Sequence, residues 1–325
     1  MDKLLTIVVP VYKVEPYINK CLDSLVLEDR VLMNQLEVII VNDGTPDRSA
    51  EMSREYVKRF PDTFRQIDKK NGGHGSAWNV GLKEATGKYL RFLDSDDWLT
   101  NLGMLMNGLE NCDADLVFTK FTKHYVSDGK EVTSDLVFPA SDHPIAIDAE
   151  KWGEPSEAFN YWSVSYKASL LKPLYPVFAE NVMYDDYILT WVPLALGRTY
   201  AAFDFVLYNY LIGRSGQSVS EVIRVKRAVS YWACFQKFEE MRLRIEGMRV
   251  PKDYLKTIDD AIGGYASFIF WYLSFLPYSD AKRKTSYLME KYLHNNVKSS
   301  VIARYQMFPF SVYYILEHIR AWMQC

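Results

Sequence analysis

The chain has 325 residues, of which 49% are hydrophobic and 15% aromatic, so it can bury a full core and one additional subdomain. Its formal net charge of -3 gives no overall attraction to nucleic acid, which argues against a nucleic-acid-binding role. The four cysteines show no paired spacing, which indicates neither a disulfide framework nor a zinc site and favours a reducing compartment.

The sequence opens with a continuous apolar run from Leu4 to Tyr12 that is rich in β-branched residues. Such a run is typical of a strand buried on both faces. A signal-peptide core is the alternative, but Lys3 is the only cation before the run and no small-residue cleavage site follows it. We therefore interpret the run as a core strand and expect a cytoplasmic start.

Strand and helix patterns then alternate along the first part of the chain. The predicted elements are a helix over 18–25, a strand over 36–42, a helix capped by Asp47 and ending near Arg59, a strand near 64–67, a glycine loop at 71–75, a helix over 77–85 and a strand over 88–93. This alternation predicts an α/β fold with a mostly parallel central sheet and flanking helices. Ligands bind such sheets at the carboxyl ends of the strands.

Three carboxylates follow the last of these strands within four positions: Asp94, Asp96 and Asp97. Charges this close repel one another at neutral pH, so the motif indicates either a divalent cation or a well-solvated polar turn. Oxygen ligands suit Mg²⁺ or Mn²⁺, which take their remaining ligands from water and substrate phosphates. The motif alone does not distinguish a cation site from a polar turn, and the loops upstream supply further information.

Three loops are expected to converge on one crevice, at 10–15, 42–45 and 94–98, with the glycine loop beside them. In chain order these segments carry Pro10-Val11-Tyr12, Val41-Asn42-Asp43-Gly44, Asn71-Gly72-Gly73, Trp78-Asn79-x-Gly81-Leu82 and Phe92-Leu93-Asp94-Ser95-Asp96-Asp97-Trp98. The succession resembles the nucleotide-binding half of family 2 glycosyltransferases with the GT-A fold. Order and spacing match over about the first 120 residues.

The resemblance implies roles for individual residues. Pro10 and Tyr12 would lie beside the uracil of a UDP-sugar, and Asp43 would accept a hydrogen bond from the base. Asp94 would lie near the ribose and the cation, and Asp96 would bind Mn²⁺ or Mg²⁺ directly. The other nucleotide-sugar-binding candidates are Glu15, Asn71, Gly72, Gly73, His74 and Ser95.

The chain departs from the family pattern at Trp78, where relatives commonly carry an arginine. Trp78 either packs inward, as aromatics at helical spacing usually do, or stacks near the sugar. In the second case His74 or Lys70 would supply the polar contact with the donor.

A second acidic motif lies at Asp185 and Asp186, where the sequence resembles the family's Glu-Asp pair at a helix start. The resemblance places Asp185 in the glutamate position and Asp186 in the position of the catalytic base. Two acids at a helix N-terminus are otherwise explained by the helix macrodipole. Further along, Arg214 is a candidate for contacting the diphosphate, or else a solvated arginine.

We predict a GT-A catalytic domain over 1–220, with a nucleotide-sugar-binding half at 1–120 and an acceptor half at 121–220. Residues 221–325 are predicted to form a helical region, with Val225, Val229, Trp232 and Phe235 on one side of its first helix. The uncharged stretch 261–279 is long enough to consider a membrane span, but its glycines, serines and Pro277 favour a buried or interfacial helix.

The last 45 residues carry a net charge of +5, against -8 for the remainder. Basic charge combined with aromatic residues favours peripheral docking on an anionic bilayer, at the inner face of the cell membrane. The residues concerned include Lys282, Arg283, Lys284, Tyr305, Phe308, Phe310, Tyr313 and Tyr314. A helical cap on the catalytic domain or a homo-oligomer contact are the alternatives.

These observations together predict a cytoplasmic, metal-dependent inverting glycosyltransferase. It would transfer a sugar from a nucleotide-sugar, most simply a UDP-sugar, to a glycan, lipid-linked or glycoprotein acceptor. A sugar nucleotidyltransferase shares the sheet and the cation but needs a glycine-rich, arginine-bearing loop after the first strand, and Pro10-Val11-Tyr12-Lys13-Val14 has no glycine. The remaining alternative is a non-catalytic, nucleotide-binding partner of a glycan synthase complex.

Overall fold

A computed structural model of the protein describes residues 2–148, 159–182, 186–214, 228–293 and 300–324. These residues belong to two compact units. The first comprises Met1–Asn181 and Asp185–Gly216, and the second comprises Val182–Tyr184 and Gln217–Cys325. The domain boundary predicted at residue 220 lies outside the described residues.

The first unit contains a ten-stranded sheet and its flanking helices. Its strands are β1 (Leu5–Val11), β2 (Leu36–Asn42), β3 (Phe64–Asp68), β4 (Tyr89–Phe92), β5 (Trp98–Leu99), β6 (Leu116–Tyr125), β7 (Glu131–Thr133), β8 (Ser141–Ala146), β9 (Val164–Lys167) and β10 (Thr199–Ile212). Its helices are α1 (Ile18–Asp23), α2 (Arg30–Gln35), α3 (Ser49–Arg59), α4 (His74–Glu84), α5 (Leu102–Glu110), α6 (Ala168–Leu171) and α7 (Asp186–Leu196).

The strand order is β3-β2-β1-β4-β9-β6-β10-β5, with β7 paired to β6 and β8 paired to β10. The first four strands of this order are parallel to one another, as the alternation of strands and helices predicts. Strand β9 is antiparallel to both β4 and β6, while β10 is parallel to β6. The predicted α/β architecture is therefore confirmed, and its antiparallel pairs lie in the second half of the sheet.

The central strands β1 and β2 are buried along their whole length because helices cover the sheet. On one face, the side chains of Ile7 and Val9 join the same apolar core as Ile18 and Leu22 of α1. Helix α4 also packs closely on β1, since a Cβ placed on Gly81 would lie 2.2 Å from Val8 Cγ1. The glycine thus permits the close approach between helix and strand.

Three predicted elements differ from those observed. Helix α4 begins at His74 rather than Ala77, because the chain leaves the glycine loop at Gly73 (φ 85°) and enters the helix at once. Asp47 bonds the backbone N–H of Ser49 at 3.1 Å, but the residue directly before helix α3 is Arg48. The first helix, predicted over 18–25, ends at Asp23, and Ser24 is its C-cap residue.

The second unit is helical, as predicted for this region. It contains α8 (Ala228–Gly247), α9 (Lys252–Leu273), α10 (Tyr278–Leu288), a π-helical turn (Met289–Leu293), α11 (Ser300–Met307) and α12 (Phe310–Gln324). The buried side of α8 includes Tyr231, Phe235 and Phe238. Val229 is 60% exposed, so its predicted place on this side is wrong, and Val225 lies outside the described residues.

The uncharged stretch 261–279 forms the end of α9 and the start of α10. Ala261, Ile262, Tyr265, Ile269 and Phe270 are buried within this unit, in agreement with a buried helix. Across the part of the chain that the structure describes, none of the helices combines the length and the apolar character needed to cross a bilayer.

Two residues assigned to the membrane-docking surface are buried instead. The Lys284 ammonium lies 5.4 Å from the ring centroid of Trp232, and the Tyr313 hydroxyl lies 2.8 Å from Ser274 Oγ. Helix packing therefore withdraws both side chains from solvent. The exposed apolar residues of this region form what we call the C-terminal stripe, comprising Met307, Phe308, Val312, Ile315 and Ile319.

Candidate active site

The loops that follow β1, β2 and β4 meet at one edge of the sheet because these strands are parallel neighbours. Backbone hydrogen bonds join Asp43 to Val11 at 3.1 Å and Leu93 to Val8 at 3.0 Å. The predicted convergence of the three loops is thus observed. Tyr12 is 43% exposed at this edge, whereas Pro10 is a buried residue of β1.

The carboxylate of Asp43 fastens the glycine loop to the end of β2. Asp43 is buried, and its two oxygens accept hydrogen bonds from the backbone N–H groups of Gly72 (2.9 Å) and Gly73 (2.8 Å). The Lys69 ammonium donates a third at 2.6 Å. Asn71 completes the link by donating its side-chain amide to the Asp43 carbonyl at 2.9 Å.

Lys69 is a site residue that sequence reasoning missed. Its signal is its position directly after β3, since the register of β2 on β3 pairs Asn42 with Asp68 and so brings Lys69 opposite Asp43. Glu15, by contrast, is a predicted donor contact, and its carboxylate accepts a hydrogen bond from the Arg48 backbone N–H at 3.1 Å. That contact ties the loop after β1 to the start of α3.

The acidic turn after β4 brings three carboxylates together. One oxygen from each of Asp94, Asp96 and Asp97 lies within 4.8 Å of the others. A backbone hydrogen bond from Asp97 to the Asp94 carbonyl at 3.0 Å closes the turn around the buried Ser95. Carboxylate oxygens at this spacing match the ligands that Mg²⁺ and Mn²⁺ prefer, so the residues present fit such an ion.

Asp94 is held by two side chains from other elements. His74 Nε2 lies 3.0 Å from one carboxylate oxygen, and the Tyr161 hydroxyl donates to the other at 2.6 Å. Burial opposes ionisation of Asp94, but its hydrogen bond to His74, the charge of His74 and the bond from Tyr161 lower its pKa. These contacts therefore favour the ionised form of the Asp94 side chain.

Asp97 is bound differently, because strand β10 occupies both of its oxygens. The Tyr208 hydroxyl donates to one at 2.6 Å and the Leu211 backbone N–H to the other at 2.9 Å. Burial, followed by the charges of Asp96 and Asp94, raises the pKa of Asp97 well above its ordinary value. Asp97 thus links the turn to the sheet, whereas Asp94 and Asp96 are only partly buried.

Trp78 packs inward, as the first of its two interpretations expects. It is fully buried, and its ring centroid lies 3.9 Å from that of His74, 5.0 Å from Phe92, 5.4 Å from Tyr161 and 5.2 Å from Phe178. The indole therefore supports the two residues that hold Asp94. Because the indole has no exposed surface, it contacts them from the protein interior and does not offer a face on which a sugar could stack.

Asn79 belongs to a sequence motif that carries no predicted role for it, and the structure supplies one. Its buried side-chain amide accepts hydrogen bonds from the backbone N–H groups of Val177 and Phe178 and donates to the Phe178 carbonyl, each at 3.0 Å. Further along the same segment, the Asn181 backbone N–H donates to the Gly72 carbonyl at 2.6 Å. The glycine loop is thus joined to the segment that precedes Asp186.

Asp186 is the first residue of α7, and Asp185 lies outside the described residues. Burial, then the charges of Asp94 and Asp186, raises the pKa of Tyr161 well above its ordinary value. Tyr161 therefore lies within electrostatic range of both acids. Burial, then the charges of Asp97, Asp94, Asp96 and Asp186, raises the pKa of Tyr210 as well. Tyr161 and Tyr210 are therefore influenced by both the candidate base and the acidic turn.

A buried arginine under the turn was also missed by sequence reasoning. Arg91 of β4 is fully buried and donates to Ser165 Oγ at 2.9 Å and to the Trp162 carbonyl. Burial lowers the pKa of Arg91 to about 10. Its place in an apolar strand gives no local signal of these contacts, which join β4 to β9.

The family model described as "Glycosyl transferase family 2" matches residues 6–169, which is just over half of the chain. The chain is 46% identical over 101 residues to the uncharacterized glycosyltransferase EpsJ of Bacillus subtilis, covering 31% of this chain and 28% of that protein. It is 28% identical over 211 residues to the putative glycosyltransferase EpsH of the same organism, covering 64% of this chain and 60% of that protein.

Two solved structures share the fold. Staphylococcus aureus TarS 1-349 in complex with UDP-GlcNAc superposes with a TM-score of 0.55 at 17% identity, covering 91% of this chain and 93% of that chain. The mannosyltransferase PcManGT from Pyrobaculum calidifontis, in complex with GDP-Man and Mn2+, gives a TM-score of 0.51 at 16% identity, covering 98% of this chain and 87% of that chain. The predicted GT-A fold is confirmed.

The fold and the acidic site therefore define a GT-A glycosyltransferase architecture. This chain belongs to glycosyl transferase family 2. The matches span between 14% and 60% of the length of the curated relatives.

Proposed function

We propose that this chain is an inverting glycosyltransferase that transfers a sugar from a nucleotide-sugar to a glycan, lipid-linked or glycoprotein acceptor. The observation that carries the proposal is the acidic turn at the end of β4, placed beside the Asp43 loop at the edge where parallel strands bind ligands. TarS in complex with UDP-GlcNAc and PcManGT in complex with GDP-Man share this fold, and both support a nucleotide-sugar donor.

Asp43 is suited to receive the base of the donor. A carboxylate offers about four lone-pair positions, and Gly72, Gly73 and Lys69 occupy three of them. The remaining position accepts a ring N–H of the base, such as that of uracil. The exposed Tyr12 ring at the same edge supplies an aromatic surface for stacking. We therefore take UDP-sugars as the first donors to test.

Asp94 and Asp96 would hold a divalent cation, Mn²⁺ or Mg²⁺. When bound, such a cation neutralises the charge that develops on the departing nucleoside diphosphate. PcManGT was solved in complex with Mn2+, which supports a cation in this fold. Within the chain itself, His74 and Tyr161 orient Asp94, and both are steadied by the buried ring of Trp78.

We assign the role of catalytic base to Asp186, with Asp185 as its neighbour in the family's Glu position. In this step the Asp186 carboxylate takes the proton of an acceptor hydroxyl. At the same time, the oxygen of that hydroxyl forms a bond to the anomeric carbon of the donor sugar. The bond from that carbon to the diphosphate breaks on the opposite face, and its electron pair leaves with the phosphate. A single displacement of this kind inverts the anomeric configuration.

Residues 1–120 would form the nucleotide-sugar half of the catalytic domain, and residues 121–220 the acceptor half. We further propose that the helical region contacts an anionic membrane surface. The support is the exposed C-terminal stripe combined with the net charge of +5 after residue 280.

The minor teichoic acid biosynthesis protein GgaB of Bacillus subtilis is 28% identical over 229 residues, covering 68% of this chain and 24% of that protein. That match supports teichoic acid as an acceptor to test.

The proposal is tested by incubating the chain with individual nucleotide-sugars and Mn²⁺ and measuring release of nucleoside diphosphate. We expect one donor to be turned over, and Asp96→Asn to abolish nearly all of that turnover. Calorimetry should show that UDP binds the wild type far more tightly with Mn²⁺ than without it.

Each alternative function gives a different result in the same assay. Release of pyrophosphate from a nucleoside triphosphate and a sugar phosphate would indicate a sugar nucleotidyltransferase. Nucleotide binding without turnover of any donor would indicate a non-catalytic partner of a synthase complex. Equal UDP affinity with and without Mn²⁺ would count against the cation.

A further inference from the structure

Arg214 forms an ion pair with Asp96, the acid that we propose as a direct ligand of the cation. Its Nε donates to Asp96 Oδ2, and both side chains are largely buried, with exposures of 21% for Arg214 and 10% for Asp96. The guanidinium carbon lies 5.4 Å from the centroid of the Tyr17 ring, at a distance typical of a cation–π contact. Strand β10 ends at Ile212, and Arg214 follows it after Gly213.

The contacts of Asp96 differ from those of the other two acids. Asp94 and Asp97 are bound by hydroxyl, imidazole and backbone amide groups, whereas Arg214 carries a permanent positive charge. The charge of Arg214 opposes the rise that burial and Asp94 produce in the pKa of Asp96. Arg214 thus compensates part of the negative charge at the turn.

A divalent cation bound by Asp96 would lie close to the same guanidinium. Two cations at that separation repel each other strongly where water is largely excluded. Arg214 already occupies one of the two oxygens that the Asp96 carboxylate could offer to a metal ion. The ion pair and the metal therefore compete for one carboxylate.

We propose that Arg214 is the counter-ion of Asp96 until the divalent cation binds, and that the cation then displaces it. This inference rests on the proposed function, because it takes Asp94 and Asp96 as the ligands. The displaced guanidinium matches the oxygen geometry of a diphosphate, which it binds in a bidentate manner. Nucleotide and cation consequently favour each other's binding, and this coupling is reciprocal.

The direct test is Mn²⁺ affinity in the absence of nucleotide, measured by calorimetry on the full chain. Arg214→Gln removes the competing charge, and we expect it to bind Mn²⁺ roughly tenfold more tightly than the wild type, the scale of one charged hydrogen bond. The same variant should bind UDP more weakly at saturating Mn²⁺. The matched control is Arg54→Gln, which removes an equal charge from the exposed pair with Asp68 and should leave Mn²⁺ affinity unchanged.

A conservative variant separates charge from folding. Arg214→Lys keeps the positive charge, so its Mn²⁺ affinity should remain close to that of the wild type. If Arg214→Gln binds Mn²⁺ no more tightly than the wild type, or if Arg214→Lys gains as much as Arg214→Gln, the inference is overturned.

Asp96→Asn distinguishes failure of this inference from failure of the proposed function. Loss of Mn²⁺ binding in Asp96→Asn, with unchanged binding in Arg214→Gln, would refute the competition while supporting the cation site. Undiminished Mn²⁺ binding in Asp96→Asn would refute the cation site, and the competition with it.

Discussion

Neighbouring acids in the turn after β4 have different surroundings although the sequence shows them as one cluster. Asp97 is 1% exposed, and both its oxygens are occupied by Tyr208 and Leu211 of β10. Asp94 and Asp96 are only partly buried. We infer that Asp97, being almost fully buried, fixes the position of the turn, while the partial exposure of Asp94 and Asp96 lets a ligand reach them. The sequence motif alone cannot make this distinction.

At the same scale, the assignment of the base can be tested with Asp186→Asn. The amide cannot accept the hydroxyl proton, so kcat should fall by about 10² to 10⁴, the usual contribution of a general base. Donor binding should change little, because the residue acts on the acceptor. Steady-state kinetics combined with calorimetry of UDP binding measure the two effects separately.

Asp185→Asn is the matched control for this experiment, since it removes the same charge one residue earlier. A normal kcat in Asp186→Asn together with a large loss in Asp185→Asn would move the base to Asp185. A large loss of UDP affinity in Asp186→Asn would instead point to a role on the donor side.

At the scale of elements, a buried carboxylate joins three segments of the parallel sheet. Glu37 of β2 is 6% exposed and accepts hydrogen bonds from Thr6 Oγ1 of β1 at 2.5 Å and from the Thr86 backbone N–H at 2.8 Å. The Arg65 guanidinium of β3 donates to its other oxygen at 3.2 Å. These bonds fix the start of β4 relative to the sheet, and so the register of the acidic turn.

Glu37→Gln should destabilise the first unit at neutral pH. The substitution replaces an acceptor oxygen by an NH₂ group that faces other donors, which costs on the order of 1–3 kcal/mol in the free energy of unfolding. Glu55→Gln is a suitable control, because that exposed residue of α3 pairs with the exposed Lys58, and we expect a change within about 0.5 kcal/mol. Urea denaturation at pH 7 compares the two variants with the wild type.

The difference in the free energy of unfolding between the wild type and Glu37→Gln should depend on pH. Burial opposes ionisation of Glu37, but the bonds from Thr6 and Thr86 and the charge of Arg65 hold its pKa below the ordinary value. The unfolded chain therefore takes up the proton first as the pH falls. The advantage of the wild type over Glu37→Gln should be complete above about pH 4.3 and shrink as the pH falls below it. A difference that grows on acidification would contradict this network.

At the scale of the whole molecule, the helical unit exposes the C-terminal stripe. Its members Val312, Ile315 and Ile319 lie on α12 at spacings of three and four residues, which places them along one side of that helix. Ile315 is 57% exposed and Ile319 is 48% exposed. Exposed apolar residues arranged in this way usually mark an interaction surface.

We predict that Ile315→Glu combined with Ile319→Glu weakens sedimentation with liposomes that contain anionic lipid. Two carboxylates on the stripe are repelled by the membrane surface and remove apolar contact with it. Because both side chains are already exposed, the free energy of unfolding should stay within about 0.5 kcal/mol per substitution.

Leu243→Glu controls for this experiment, since Leu243 is a 66% exposed apolar residue on α8 of the same unit. It should leave sedimentation unchanged. If the doubly substituted protein still binds liposomes like the wild type but no longer forms a dimer that the wild type forms, the stripe is an oligomer contact instead.

The sequence by itself determined the order of the first four strands along the chain, the α/β class and the family. Strand and helix periodicity is a local property, and the motifs keep a fixed order, so neither needs a three-dimensional argument. For the same reason, the positions of Asp43, Asp96 and Asp186 could be selected as candidates. Helical spacing left two interpretations of Trp78 open, and its burial in the structure decided for inward packing.

The tertiary structure alone decided which groups meet. Lys69 and Asp43 are 26 residues apart, Asn79 and Phe178 are 99 apart, and Arg214 and Asp96 are 118 apart. Parallel strands are joined by long crossovers, so the partners of a residue at a strand end come from distant segments. Side-chain burial likewise depends on which helices cover a face. That is why Val229, Lys284 and Tyr313 could not be placed correctly from local patterns.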